Sequence, residues 1–435
     1  MSRDKRAIAL TALVANQSGE IFELEGYAAM GFDGPLQIPL TTADTIALPH
    51  GSELMYLPQR MPTLFNLEEQ RIETLPQNPY APDERIYPVA AFNSPGYLLT
   101  SACAYAERPE ATHLPLFSYG AVGWQGGQFR SAALQVDDEP RQDLRRMPLD
   151  RIRAGIRDMR RSMPRNRLRA HLENCALTYG CPAGKNFFLG RYEAPLPTAT
   201  TCNARCLGCI SLQSGGDMPC SQERIGFTPS ADEIAEVALA HIARVENAVV
   251  SFGQGCEGDP LMAAQPIGRA IEKIRKITDR GTINMNTNGS LPNKINWLLD
   301  TGLDSLRISI NSVRKNCYTA YFRPRNYMFD DVLKSIDLAL SRGAHVAINY
   351  LNCPGFSDTP EESDALLAFL SAHPIQMIQW RNLNFDPLRY VQTMNNVTRH
   401  SRPLGMAGLL KSVRRHAPHV RFGYFNPPKE NFSKA

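Results

Sequence analysis

The chain has 435 residues, 21% of them charged and 43% hydrophobic, with a formal net charge of +4. That length supports two or three domains around a large core, and that composition excludes a disordered chain. The modest charge gives no argument for nucleic acid. No stretch reaches the run of about 18 apolar residues that a membrane span needs.

The first residues, "MSRDKRAIALTALVANQSGE", lack the long apolar region and small-residue cleavage site of a signal peptide. A cytoplasmic location is therefore expected. Ten cysteines in such a chain point to reduced thiols and to metal or redox chemistry, not to a disulfide framework.

Residues 1–140 read as a β-rich domain. "GEIFELEG" alternates apolar and polar residues, and "LFSYGAVGWQGGQFRSAALQV" predicts a hairpin turning at Gly126-Gly127. Residues 141–195 are dense in arginine and helical in pattern, with breaks near Pro148 and Pro164, and they carry Cys175 and Cys181.

Residues 196–395 repeat strand, loop and helix. A first strand is expected near Leu196–Thr201, followed by "AVVSF", "TINMN", "SLRISI", "HVAINYL" and "IQMIQW". Between them lie helices of about a dozen residues. Ser230 with Glu233 forms a capping box, Gly343 a C-terminal stop, and Thr359-Pro360 a helix start. Such alternation predicts an α/β fold whose parallel sheet closes partly into a barrel with helices outside. Residues 396–435 form a C-terminal extension without a clear motif.

Chemistry on such a sheet gathers at the C-terminal ends of the strands. Each predicted strand here leads into a polar cluster. The first leads to Cys202, Cys206 and Cys209; the second to "GQGCEGDPL" with Glu257 and Asp259; the third to "NTNGS" with Asn286 and Asn288. The fourth carries Arg307 and Ser309 and ends at Asn311; the fifth ends at Asn349, the sixth at Arg381. Isolated polar clusters are ordinary turns; six in register predict a shared cavity. Cys256 and Cys353 are also expected to face it.

The three cysteines, spaced C-x3-C-x2-C in "TCNARCLGC", suit three irons of a [4Fe-4S] cluster whose fourth iron takes a non-protein ligand. Zinc completed by Cys220 is the alternative.

These residues resemble the radical S-adenosylmethionine (radical SAM) superfamily, in particular its molybdenum-cofactor-biosynthesis and activase-like core, over roughly residues 195–395. Asn203 after the first cysteine matches; Gly208, where the family often has an aromatic, departs. "EGDPL" looks like the motif that holds the SAM amino group, through Glu257 or Asp259. "TNG", "LRISINS" and "YFRPRNY" look like later segments of the same branch.

The resemblance implies a partial (β/α)6 TIM-like barrel and a [4Fe-4S] cluster on Cys202, Cys206 and Cys209. It also implies SAM held by Glu257, Asp259, Asn286, Asn288, Ser309, Asn311, Asn349 and Arg381. Ser309 and Asn311 would meet the ribose hydroxyls and Arg381 the carboxylate. The implied activity is reductive cleavage of SAM to a 5′-deoxyadenosyl radical that abstracts hydrogen from a substrate, with an electron donor such as flavodoxin or ferredoxin.

A peptide or protein substrate is the expectation, since a separate N-terminal domain suits docking of a chain. An RNA-modifying enzyme, a small-molecule substrate, and a non-catalytic iron-sulfur or zinc binding protein are the alternatives. The arginine-rich stretch reads either as a solvated helical face or as a site for an acidic partner. Cys175 and Cys181 are candidates for a second cluster together with Cys220 or Cys103.

Overall fold

Residues 8–213 and 218–432 are described by the computed structural model of the chain. The alternating apolar segments near the N-terminus pair as antiparallel strands. Thr11–Ala15 is central, hydrogen-bonded to Ile21–Ala28, Tyr87–Phe92 and Val122–Gln125 within a ten-stranded sheet. The Gly126-Gly127 hairpin joins Val122–Gln125 to Gln128–Ser131, both glycines having positive φ as a two-residue turn requires.

Three helices follow: α1 (Leu149–Ser162), α2 (Arg167–Leu177) and α3 (Pro182–Leu189). The break between α1 and α2 falls at Met163–Asn166, where Pro164 cannot continue a helix.

The second half builds one parallel sheet, whose strands are numbered β1 to β7 here. They are β1 (Glu193–Pro195), β2 (Val249–Phe252), β3 (Thr282–Thr287), β4 (Ser305–Ile310), β5 (His345–Asn352), β6 (Met377–Asn382) and β7 (Arg421–Gly423). Each pairs with the next in sequence, so the sheet curls without reversing into a half-barrel. Between the strands lie α4 (Ala231–Arg244), α5 (Ala264–Arg275), α6 (Pro292–Thr301), α7 (Lys315–Phe322), α8 (Phe329–Ser341), α9 (Pro360–Ala372), α10 (Pro387–Asn395) and α11 (Met406–His416). Ser230 and Glu233 form the expected capping box on α4. Thr359 stands at the N-cap of α9, but its hydroxyl donates back to the Phe356 carbonyl instead of capping.

One expectation needs correction. The first strand ends before Leu196. The main-chain N–H groups of Thr198 and Ala199, which a strand would use in its ladder, donate instead to the Glu257 carboxylate at 2.8 and 2.9 Å. The C-terminal extension supplies β7 and Asn426.

From just beyond β7, Asn426 reaches into the half-barrel. It donates to Glu193 on β1 at 2.8 Å and accepts from Gln379 on β6 at 2.9 Å. Ser251, Asn284, Asn286 and Ser305 extend this polar layer across β2, β3 and β4. They point inward from their strands and pair with one another, because a buried polar group left without a partner is costly.

The β-rich domain is seated on the open end of the half-barrel. Arg60, fully buried, pairs with Glu107 at 2.9 Å and with Asp386 at the start of α10 at 3.3 Å. Tyr105 donates to Asp386 at 2.6 Å. Asn382, ending β6, accepts from Leu99 N–H and donates to the Tyr97 carbonyl, both at 2.9 Å. Gly34 and Gly355 touch backbone to backbone: a Cβ on Gly355 would lie 1.9 Å from the Gly34 nitrogen. Met30, Phe32 and Leu98 of the β-rich domain share one apolar core with α1–α3 and the half-barrel.

Candidate active site

At the C-terminal strand ends, under the β-rich domain, lies a cavity of about 440 Å³. Cys202, Cys206 and Cys209 line one side of it, Asn286, Asn288, Ser309, Asn349 and Arg381 the floor and far wall, and Phe92, Asn93 and Ser118 its upper rim. The expected convergence of strand ends is therefore present.

The cysteine loop is held from two sides. Asn203 donates to Ser290 at 2.9 Å and accepts from Asn288 at 2.8 Å, tying the loop to the end of β3. On the other side, Arg205 and Leu207 N–H donate to the last carbonyls of α7, those of Phe322 and Tyr321. The "YFRPRNY" segment thus grips the loop from outside. Arg224, which no sequence motif marks, donates to Ser211 at 3.3 Å and lies 3.6 Å from the Cys209 sulfur.

Gly208 has a steric reason. A Cβ there would sit 2.8 Å from the Asn384 carbonyl oxygen and 2.9 Å from the Tyr321 hydroxyl. The aromatic surface beside the last cysteine comes from Tyr321 on α7, and residue 208 has no room for another.

The three thiols fit a metal cluster by their chemistry. Burial, then the Asp259 carboxylate, pushes the Cys202 thiol up to about 12, and burial drives Cys206 well above the usual thiol value. Thiolates in such a place persist only against a cation, which bound iron supplies.

The two acidic candidates are already occupied. Glu257 accepts from Thr198 and Ala199 N–H on one oxygen and from Gly253 and Gln254 N–H, both at 2.7 Å, on the other. Burial nonetheless pushes its carboxyl up to about 7. Asp259 caps the turn at Leu261 and accepts from Thr287 at 2.8 Å and Asn288 N–H at 2.7 Å. Burial raises it as well. Both carboxylates fix the loop after β2. Asn286 is similarly engaged, donating to the Gly253 carbonyl at 3.0 Å.

Asn311 is the clear misplacement. It is fully buried, away from the cavity lining, and donates to the Cys317 carbonyl and to Tyr390. Its position one residue beyond β4 turns its side chain toward α7 and α10. Cys256 and Cys353 are likewise buried and do not line the cavity. Cys103 belongs to the β-rich domain's core, donating to the Val89 carbonyl, and Cys220 is exposed; neither gathers with Cys175 and Cys181.

The remaining groups are free to take a ligand. Arg307 spends one nitrogen on Gln379 at 2.9 Å, and Arg381 one on the Tyr424 carbonyl while stacking 3.5 Å over the Tyr424 ring. The Nε of each, and the Asn349 Oδ1, are buried without a partner among the described residues. Burial, then Arg381, lowers Arg307, although a guanidinium keeps its charge. Two cations without a carboxylate, beside an orphaned acceptor, suit a zwitterion carrying a carboxylate and a polar edge.

Residues 196–369 match the family model described as the radical SAM superfamily. The chain carries a radical SAM domain. Its cofactors are a [4Fe-4S] cluster and S-adenosylmethionine, and the unpartnered groups in the cavity fit that pair.

GTP 3′,8-cyclase of Staphylococcus carnosus is 27% identical over 201 residues, 45% of this chain and 55% of that protein. GTP 3′,8-cyclase of Staphylococcus haemolyticus is 28% identical over 174 residues, 39% of this chain and 49% of that one. The chain spans about half the length of these curated relatives. Among solved structures, HydG, a maturase of the [FeFe]-hydrogenase, is similar at TM-score 0.39 and 15% identity, over 66% of this chain and 69% of that one. No helix among the described residues is long and apolar enough to cross a membrane.

Proposed function

We propose that this chain is a radical SAM enzyme that cleaves S-adenosylmethionine reductively and modifies a peptide or protein segment. One observation carries the reading: three thiols and the guanidiniums of Arg307 and Arg381, neither paired with a carboxylate among the described residues, share a single cavity at the strand ends. Cys202, Cys206 and Cys209 would hold the cluster, and three protein thiolates leave it an open iron for SAM. When bound, cluster and SAM together supply one-electron cleavage to methionine and a 5′-deoxyadenosyl radical, which abstracts hydrogen.

The chain's own residues bind and orient. Arg381 and Arg307 neutralise the SAM carboxylate. Ser309 and Asn349, in register on β4 and β5, offer a hydroxyl and an amide to the ribose. Glu257 and Asp259 act at one remove, holding the loop after β2 so that its main chain faces the ligand. The β-rich domain keeps water from the reacting atoms and leaves Phe92, Asn93 and Ser118 to meet a substrate.

A peptide is favoured over RNA because the arginine-rich stretch is largely paired internally. Arg141, Arg145, Arg160, Arg161, Arg167 and Arg169 all meet carboxylates of this chain. An external reductant of the flavodoxin or ferredoxin kind would deliver the electron.

The test is anaerobic reconstitution with iron and sulfide, then dithionite and SAM, with chromatography for 5′-deoxyadenosine. An intact cluster that yields none overturns the reading. Salt-sensitive RNA binding lost on charge reversal at Arg151, Arg153 and Arg157 would replace the peptide by RNA.

A further inference from the structure

Away from the cavity, a second set of soft ligands has assembled. His171 and Cys175 stand one turn apart on the same face of α2, with Cys175 Sγ 3.4 Å from His171 Nε2. Cys256, in the loop after β2, comes to meet them. The imidazole nitrogen and the two sulfurs all lie within 4.8 Å of one another, both cysteines being buried. This is the one such compact set among the described residues.

We propose that His171, Cys175 and Cys256 bind a single zinc ion, distinct from the cluster of the active site. A tetrahedral zinc with Zn–S of about 2.3 Å and Zn–N of about 2.0 Å sets its ligand atoms about 3.4–3.8 Å apart. The observed spacing meets that geometry with small rotamer changes. Thiolates on different irons of a [4Fe-4S] cube must stand further apart, since an iron–iron edge lies between them. The compactness therefore selects a mononuclear site.

The candidate for the fourth position is Cys181, at the N-cap of α3. Its sulfur lies outside the set within 4.8 Å and would have to turn in, but its N–H donates to the Cys175 carbonyl at 2.9 Å, which keeps its main chain beside the site. The ligand set would be Cys3His, a closed structural type. Zinc binding displaces the thiol protons and changes no oxidation state.

The location gives the ion a task. Cys256 precedes Glu257, whose carboxylate organises the loop lining the active-site cavity. A zinc ion would staple α2 to that loop and so hold one wall of the cavity from behind.

The test uses the full chain. In a Cys202→Ala, Cys206→Ala, Cys209→Ala triple variant, stripped of metal and titrated with Co2+, about one equivalent should bind and show the thiolate-to-cobalt charge-transfer and intense ligand-field bands of tetrahedral sulfur ligation. Adding Cys175→Ser and Cys256→Ser should abolish them. Absence of thiolate bands in a folded triple variant overturns the proposal, as does iron with inorganic sulfide there.

If the triple variant does not fold, the anaerobically reconstituted native chain serves. Elemental analysis should find about one zinc beside the cluster iron, and Cys175→Ser should lose the zinc while keeping the cluster absorbance. Zinc-free native protein, or a Cys175–Cys256 disulfide on peptide mapping, refutes the site. Failure to produce 5′-deoxyadenosine leaves this result unchanged, so the two readings fail separately.

Discussion

Replacing Glu257 by Gln separates a structural carboxylate from a ligand-binding one. Each oxygen of Glu257 takes two main-chain N–H groups, at 2.7–2.9 Å. A glutamine can accept on its oxygen only, so its NH2 group, itself a donor, confronts two buried donors. Two unsatisfied N–H groups at about 1–3 kcal/mol each give about 2–6 kcal/mol. Burying a neutral amide costs less than burying a carboxylate and offsets part of this, leaving about 2–4 kcal/mol. That is a large share of the roughly 5–15 kcal/mol by which domains are stable. Urea unfolding at pH 8, above the raised carboxyl value of about 7, reads the loss directly. Hydrogen exchange should accelerate at Thr198, Ala199, Gly253 and Gln254. If Glu257→Gln unfolds within about 0.5 kcal/mol of the native chain yet binds SAM poorly, the carboxylate is a ligand and the reasoning fails.

Other outcomes follow from the same contacts. Gly208→Ala should cost about 1–3 kcal/mol by overpacking against the Asn384 carbonyl and Tyr321, and Tyr321→Phe should relieve part of it; additive melting temperatures would refute the contact. Asp386→Ala leaves Arg60 with Glu107 as its one carboxylate and the buried Tyr105 hydroxyl without its acceptor, and should cost about 1–3 kcal/mol, with earlier proteolysis between the β-rich domain and the half-barrel; equal protease resistance would argue against the seam. Arg381→Met should weaken SAM binding by about 10–100-fold in anaerobic calorimetry, the value of a charged hydrogen bond; unchanged affinity would place the SAM carboxylate elsewhere. Burial lowers His241 and His345 from 6.5 to about 4, with Arg244 and Arg421 adding to it. Between those values the unfolded chain binds protons that the native one refuses. Their stability contribution is therefore full above pH 6.5 and is lost as pH falls to 4, about 3 kcal/mol each. His241→Gln should flatten that slope in urea midpoints taken from pH 7 to 4.5.

The alternation of apolar strands and amphipathic helices made the half-barrel legible, because its periodicities are local. The cysteine trio was legible for the same reason: three ligands in one loop need no tertiary knowledge. What a single sequence could not display was which polar side chains the fold consumes. Asn286, Asn311, Glu257 and Asp259 looked like ligand groups, and each is bonded to a neighbour far off in sequence. Asn426 and the short β7 lay in a tail with no periodic pattern, since three residues are too few to show one. Cys256 was visible as a strand-end cysteine, but its meeting with His171 and Cys175 depends on how α2 packs on the half-barrel.

The seat of the β-rich domain bears on how this chain can be cut or recombined. The segment that matches the family model, residues 196–369, begins after β1 and stops before β6 and β7. Its apolar core continues into Met30, Phe32 and Leu98, and the strand-end surface leans on Gly34 through main-chain contact. Excised, that segment would present raw edges at β2 and β5 and an uncovered mouth. The recognisable part is therefore not a cassette that can be grafted: its foldable unit is nearly the whole chain.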